Sequence, residues 1–163
     1  MADWPAIFRK LLEPHEDDGY KCHLPPGASN SEIADAETNL GVTLPKDLRE
    51  AYLANNGFGF TGPNTMNGTD WELVPVDEIA NFSEAVRMWF IESHEEDANR
   101  FLGVINFDNG DALGYIISPD GALGSKLCSF DHESYDGDEE QALEDFLLPQ
   151  YDSFTAYIEE RAG

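Results

Sequence analysis

Most side chains in this sequence that could do chemistry are carboxylates. The chain has 163 residues, of which 33 are Asp or Glu and 9 are Lys or Arg, so its formal net charge is −24. Two stretches, 50–86 and 127–160, contain no Lys or Arg, and the second holds eleven acidic residues. Solubility alone is one explanation of this charge, but because self-repulsion at this density lowers stability, the two stretches favour a role in attracting a cationic partner.

From these two stretches we predict a partner-binding surface. Its carboxylates would pair with Lys or Arg side chains of a basic protein, and Tyr135 would serve as an aromatic anchor among them. Such a surface speeds association and loses strength with added salt. The predicted residues are Asp70, Glu72, Asp77, Glu78, Asp131, Glu133, Tyr135, Asp136, Asp138, Glu139 and Glu140.

Catalysis and metal binding are alternative interpretations of some of these carboxylates. Asp108, Asp111 and the tripeptide Asp131-His132-Glu133 could form acid–base pairs or bind a hard cation. They do not have the spacing of a calcium loop, and a solvated turn explains them better. A hydrolase that uses Asp108, Asp111 or His132 is the minor alternative, because no motif defines its geometry. We therefore expect no catalytic residue, no metal and no cofactor.

The composition also argues against several classes of partner. Neutralising phosphates requires clustered Lys and Arg, so we expect no direct binding to nucleic acid or to an anionic membrane. Glycines 57, 59 and 62 match a dinucleotide-binding spacing, but they follow a predicted helix instead of a strand. Cys22 and Cys128 are expected to be reduced thiols. Without a membrane-length apolar run or a signal-peptide pattern, a cytoplasmic protein is expected. The oligomeric state stays open.

Helical periodicity and turn residues divide the first half of the chain. Ser29 and Glu32 have the spacing of a capping box, and Gly41 is suited to end the helix that follows. Pro45 is suited to the first turn of another helix, which Asn55-Asn56-Gly57 would end. The predicted elements are a helix over 3–12, a loop over 13–28, a helix over 30–40, a helix from Pro45, and a flexible stretch over 58–68.

Strand-like runs dominate the second half. Turn residues at 108–110 and 118–121 separate three of these runs, which predicts a meander of antiparallel strands. The predicted elements are a strand over 71–74, a helix over 76–91, strands over 101–107, 111–117 and 123–130, and helices over 138–147 and 151–161.

Helices followed by a sheet and then by helices indicate an α+β fold. We predict a single domain over 1–163, made of an N-terminal helix (1–12), a loop (13–28) and a core (29–161). Its central antiparallel sheet would be covered by the N-terminal and C-terminal helices as one layer. The other sheet face would then be partly exposed and available to a partner.

Several local motifs together resemble the SUKH superfamily, which includes fungal regulators of cell-wall synthesis. The most specific run is Leu40-Gly41-Val42-Thr43-Leu44-Pro45, followed by Asp47-Leu48-Arg49, Tyr52 and Asn55-Asn56-Gly57. Weaker matches are Ser31-Glu32-Ile33 through Glu37, Leu73-Val74-Pro75, Gly110-Asp111, Asp131-His132-Glu133, Ser153-Phe154 and Tyr157-Ile158. The resemblance covers roughly residues 29–160.

The resemblance implies a non-enzymatic α+β protein that works by binding. In bacteria, such proteins are most often immunity proteins that neutralise a polymorphic toxin, frequently a nuclease. Toxins that act on nucleic acid tend to carry basic surfaces, so an acidic inhibitor could cover their phosphate-binding groove. A regulatory scaffold for signalling or cell-wall proteins is the alternative, and a toxin-like reading frame beside the gene would favour neutralisation.

Overall fold

The computed structural model describes residues 2–62 and 68–163, and it confirms the predicted α+β class with a single antiparallel sheet. The sheet has seven strands in the order β1 to β7, so each strand lies beside its neighbours in sequence. The strands are Lys21–His23 (β1), Phe58–Thr61 (β2), Asp70–Leu73 (β3), Phe101–Asn106 (β4), Ala112–Ile116 (β5), Leu127–Phe130 (β6) and Leu147–Tyr151 (β7).

Helices precede, interrupt and follow this sheet. They are Trp4–Asp17 (α1), Asn30–Leu40 (α2), Lys46–Ala54 (α3), Ile79–Arg87 (α4), Glu95–Ala98 (α5) and Phe154–Ala162 (α6), with 3₁₀ turns at Val76–Glu78 and Leu143–Asp145. The predicted capping box is present, because Ser29 accepts from the Glu32 amide at 3.1 Å and Glu32 accepts from the Ser29 amide at 2.7 Å. Gly41 ends α2 with a φ of 70°, which a glycine adopts at little cost.

Two predicted loops contain strands. The loop predicted over 13–28 contains the end of α1 and all of β1, and the stretch predicted as flexible over 58–68 begins with β2; its residues 63–67 lie outside the described residues. The two strands pair with each other, with Cys22 opposite Phe60. Both strands are short and are bounded by turn residues, so they show too little alternation to be recognised locally, and each is defined by its partner strand.

The helix predicted over 138–147 is wrong. The Asp136 carboxylate accepts from the Asp138 amide at 2.8 Å, and the Asp138 carboxylate accepts from the Glu140 amide at 2.9 Å. These bonds satisfy backbone donors in a turn conformation, which competes with a helix. The chain then forms edge strand β7, where Pro149 is tolerated. The following helix begins at Phe154, not at 151.

Other predicted elements have different bounds. The helix predicted over 76–91 is a 3₁₀ turn followed by α4, which ends at Arg87. The strand predicted over 123–130 is regular only from Leu127, and the short helix α5 was not predicted. The helix α4 ends early because residues 88–94 form successive tight turns, one of which is closed by the bond from the Phe90 amide to the Arg87 carbonyl at 3.1 Å.

The sheet separates two apolar clusters, so the expectation of a single helical layer is wrong. Along β5, Leu113 and Tyr115 join the larger cluster with α1, α2, α3 and α6, whereas Ala112 joins the smaller one. This alternation places the clusters on opposite faces. The smaller cluster packs Val86 of α4, Phe90 and Phe146 against β4 to β6. The sheet face that carries the smaller cluster is therefore covered over β4 to β6. In β1 to β3 the same face is partly exposed, at His23, Thr61 and Trp71.

Candidate functional site

The strand order brings carboxylates from distant parts of the sequence to one end of the sheet. Phe60 lies opposite Asp70, Leu73 opposite Ile105, and Ala112 opposite Phe130. In an antiparallel meander, these registers place the start of β3, the β4–β5 turn and the end of β6 on the same side. We call this group the acidic rim. It consists of Asp70, Asp108, Asp111, Asp131 and Glu133.

Asp70 and Asp108 form the most repulsive part of the acidic rim. Burial, the negative charge of Asp108 and a hydrogen bond with the Asp108 carboxyl raise the pKa of Asp70, in that order of size. Asp108 has a φ of 60°, which Asp adopts more readily than most residues. The fold therefore holds two carboxylates together against their mutual repulsion, an arrangement that costs stability and suits a cationic ligand.

His132 contacts the Asp111 carboxylate and directly follows Asp131 in the chain, so it lies beside two carboxylates of the acidic rim. The Asp111 carboxylate accepts from the His132 amide at 3.0 Å, and it lies 2.6 Å from the ring Nδ1 of the same residue. Asp131 accepts from the Ser134 hydroxyl at 2.6 Å and from the Glu133 amide at 3.0 Å. The Ser134 hydroxyl is the main cause of the lowered pKa of Asp131. These hydrogen bonds hold the carboxylates of Asp111 and Asp131 in defined positions.

Asp111, Asp131 and His132 could also hold a cation, since one ligand atom from each lies within 4.8 Å of the others. All three are partly exposed, and the contacts above explain their positions through the loop itself. The Asp111–His132 pair has the composition of an acid–base pair, but a hydrolase also needs a nucleophile and an oxyanion site in register with it. The ring neighbours of His132 include the indole of Trp89 at 5.4 Å.

The acidic loop, residues 131–141, is fastened to the segment that follows α4. The Tyr135 hydroxyl lies 2.5 Å from the Ser93 hydroxyl, and its ring lies 5.0 Å from that of Phe146. His94 Nε2 lies 2.8 Å from the Gln141 carbonyl. Tyr135 is half-buried in these contacts, so the structure gives it the role of fastening the loop. Glu133, Asp136, Asp138, Glu139 and Glu140 are exposed along the loop.

The carboxylates of the first acidic stretch divide between a groove and the interior. Asp70, Asp77 and Glu78 line a groove of about 580 Å³ together with Trp71 and Phe82. This groove lies along β3, where the sheet face is partly exposed. It therefore brings three of the predicted binding residues to one surface beside an aromatic ring.

Glu72 is 8% exposed and has interior partners. It accepts from the Tyr157 hydroxyl at 3.3 Å and lies 3.5 Å from Nε of Arg161. Burial raises the pKa of Glu72, and Arg161 and Tyr157 partly offset this effect. Because its carboxylate faces α6, we leave Glu72 out of the binding surface.

Local patterns missed three residues of this region. From the sequence, Asp108 and Asp111 are candidates only for catalysis or cation binding, whereas the structure places them in the acidic rim. Trp89 and Phe90 both fall in the helix predicted over 76–91, and the structure buries Phe90 and leaves Trp89 48% exposed. The signal available in the sequence is that two aromatic residues are adjacent. Neighbouring residues of a helical turn face different directions, so Trp89 and Phe90 cannot both face the same side.

The comparisons with known proteins agree with this architecture. Residues 27–160 match the model of the SMI1 / KNR4 family (SUKH-1). No curated protein matches the chain. Within the described residues, none of the helices combines the length and the apolar character that a membrane crossing needs.

Proposed function

Because the chain belongs to the SMI1 / KNR4 family (SUKH-1), we propose that it is an immunity-type binding protein that neutralises a basic toxin domain. Its target would be a toxin of the nuclease class, and inhibition would be stoichiometric, by covering the surface that binds phosphates. The protein would act by binding alone, without catalysis. Family membership supports a role in protein interaction, and the identity of the partner is our inference from charge.

The observation that carries this proposal is the collection of carboxylates at one end of the sheet. The acidic rim joins Asp70 with Asp131 although they are far apart in sequence, and the groove along β3 adds Asp77 and Glu78. Arg161 lines a cavity that Asp70 and Asp108 also line, and it is already paired with Glu72. A cationic surface that approaches this end therefore meets a negative field that internal pairing leaves largely intact.

Electrostatic capture explains how such a surface would work. Long-range attraction steers a basic partner toward the acidic rim and mainly raises the association rate. At physiological ionic strength the Debye length is about 8 Å, so added salt should weaken the encounter strongly. The exposed carboxylates over 136–140 in the acidic loop would contribute to steering. The carboxylates of the acidic rim and of the groove would contact the partner.

A regulatory scaffold is compatible with the same family membership. In that case the acidic surface would dock a basic segment of a signalling or cell-wall protein. The two functions differ in the partner, so identification of the protein retained from native lysate at low salt separates them. A toxin domain whose activity is lost at a one-to-one ratio supports neutralisation, and a partner whose activity persists supports scaffolding.

The test of electrostatic capture compares two substitutions that leave the same net charge. Glu139→Lys and Asp152→Lys each change the formal charge by two, from −24 to −22. Glu139 lies in the acidic loop, whereas Asp152 lies after β7, at the sheet end opposite the acidic rim. We expect Glu139→Lys to slow association with the retained partner by about threefold at low salt, and Asp152→Lys to have little effect.

The measurement is the association rate over a series of salt concentrations by surface plasmon resonance. The threefold difference should shrink as the salt concentration rises, because screening removes the steering. Equal rates for both variants at low salt would show that the acidic loop does not take part in capture. A partner without a basic surface would refute the proposal as a whole.

A further inference from the structure

An exposed apolar patch lies beside the acidic rim. Met88 and Trp89 follow the last residue of α4, and they are 65% and 48% exposed. The Trp89 indole lies 5.4 Å from the His132 ring and 6.4 Å from the Phe130 ring, measured between ring centroids. Trp side chains are highly buried on average, and Trp is among the residues enriched in binding hot spots.

Two carboxylates lie close to the His132 ring, which is the neighbour of this indole. His132, which contacts Trp89, lies 2.6 Å from the Asp111 carboxylate, and ligand atoms of Asp111, Asp131 and His132 lie within 4.8 Å of one another. Arg87, the base closest to Trp89 in sequence, donates instead to the Phe101 carbonyl at 2.8 Å. The patch therefore combines a half-exposed aromatic ring with negative charge that Arg87 does not neutralise.

We propose that Trp89, His132, Asp111 and Asp131 form a seat for an arginine side chain of the basic partner. A guanidinium group is planar, so it can stack on the indole while its N–H groups donate to the carboxylates. A lysine ammonium group offers the same charge without the planar stacking surface. The inference rests on the proposed function, since it names the residue by which a basic partner would be anchored.

An arginine accounts for the patch better than a metal ion does. A metal would use the carboxylates and the imidazole, but the Trp89 indole would add no ligand. The arginine seat uses the exposed indole and the carboxylates together, and it agrees in sign with the field of the whole acidic rim.

The experiment uses two capped hexapeptides as probes, one of six arginines and one of six lysines, with the intact protein at low salt. Binding is measured by calorimetry and by the indole N–H resonance of Trp89, which is assigned from its loss in Trp89→Phe. We expect the arginine peptide to bind about threefold more tightly than the lysine peptide and to shift this resonance. Trp89→Ala should bring the ratio close to one, and Trp89→Phe should give an intermediate ratio.

Leu53→Ala is the matched control, because Leu53 is 42% exposed on α3, which packs in the larger cluster on the other sheet face. It should leave the peptide ratio unchanged. Circular dichroism confirms that each variant is folded, and Trp89→Phe keeps the test valid if Trp89→Ala unfolds.

The outcomes separate the seat from the proposed function. Equal binding of both peptides, without a shift of the Trp89 resonance, would overturn the arginine seat and leave an acidic surface that binds cations. Failure of both peptides to bind at low salt would count against cation capture itself. Stoichiometric binding of Zn²⁺ at the His132 ring, with no peptide effect there, would assign the carboxylates to a metal and overturn the seat.

Discussion

The contact between Asp70 and Asp108 predicts a substitution that makes the protein more stable and a poorer binder. Asp108→Asn removes one of the two repelling charges and keeps a side chain that tolerates the φ of 60°. Two unit charges in contact repel by about 1 kcal/mol in water. Because Asp108 is exposed, we discount this for screening and expect a gain of about 0.5 kcal/mol in the free energy of unfolding at pH 7.

The pH dependence identifies the cause of this gain. The pKa of Asp70 is raised in the folded protein, so folding takes up a proton between the unfolded and the folded pKa. The wild type therefore loses stability as the pH rises through this window. The advantage of Asp108→Asn should be near zero below the unfolded pKa and reach its full value above the folded pKa.

Urea denaturation of the wild type and the variant across this pH range measures the effect. Asp70→Asn also removes the cost of burying the Asp70 charge, so Asp70→Asn/Asp108→Asn should gain little more than Asp70→Asn alone, since the repulsion is already gone in that variant. Asp120→Asn is a control whose effect on stability should have the opposite sign, because the pKa of Asp120 is lowered whereas that of Asp70 is raised. Hydrogen bonds from the Ser118 hydroxyl and the Ala122 amide lower the pKa of Asp120, so its replacement should destabilise the protein at neutral pH and lose this effect as the pH falls.

A pH-independent change in stability, or a loss of stability in Asp108→Asn, would refute the repulsion argument. The same variant should bind a basic partner more weakly, because the acidic rim loses one charge. A gain in stability together with a loss in binding would show that the rim is kept for recognition and not for folding.

Two further predictions concern interior contacts of the binding region. Because burial raises the pKa of Glu72, Glu72→Gln should equal or exceed the wild type in stability at pH 7. Arg161→Ala should lose about 1 kcal/mol, because the Glu72 carboxylate then keeps the Tyr157 hydroxyl but loses its charged partner, which is itself partly exposed. Both variants are measured by urea denaturation, and a large loss in Glu72→Gln would contradict this account. Tyr135→Phe removes the 2.5 Å contact with Ser93, so it should cost about 1 kcal/mol and speed amide exchange at Gln141, while unchanged exchange would show that the loop is held by other contacts.

Local sequence was sufficient for the helices near the N-terminus and for the β4–β5–β6 meander. Ser29 and Glu32 are three residues apart, and Gly41 lies one residue after α2, so the bonds that start and end this helix form within a short segment. The turn residues between the central strands act in the same way. Such contacts depend on neighbours in the chain, and the sequence displays them directly.

The elements that were predicted wrongly depend on distant partners or on competition between local hydrogen bonds. β1 and β2 exist because Lys21–His23 pairs with the segment that begins at Phe58. The segment over 138–147 has a composition that suits a helix, yet Asp136 and Asp138 bond to nearby amides and hold a turn. A periodic pattern records neither effect, since it measures only the spacing of apolar residues.

The sequence alone established the sign of the charge, the two base-free stretches and the α+β class, because these follow from composition and from short-range patterns. Only the tertiary structure decided which carboxylates lie together. Strand pairing brought Asp70 beside Asp108 and carried Glu72 inward toward α6, while the turn after α4 left Trp89 outside and Phe90 inside. The face on which a side chain emerges depends on register and on long-range packing, which residue spacing does not encode.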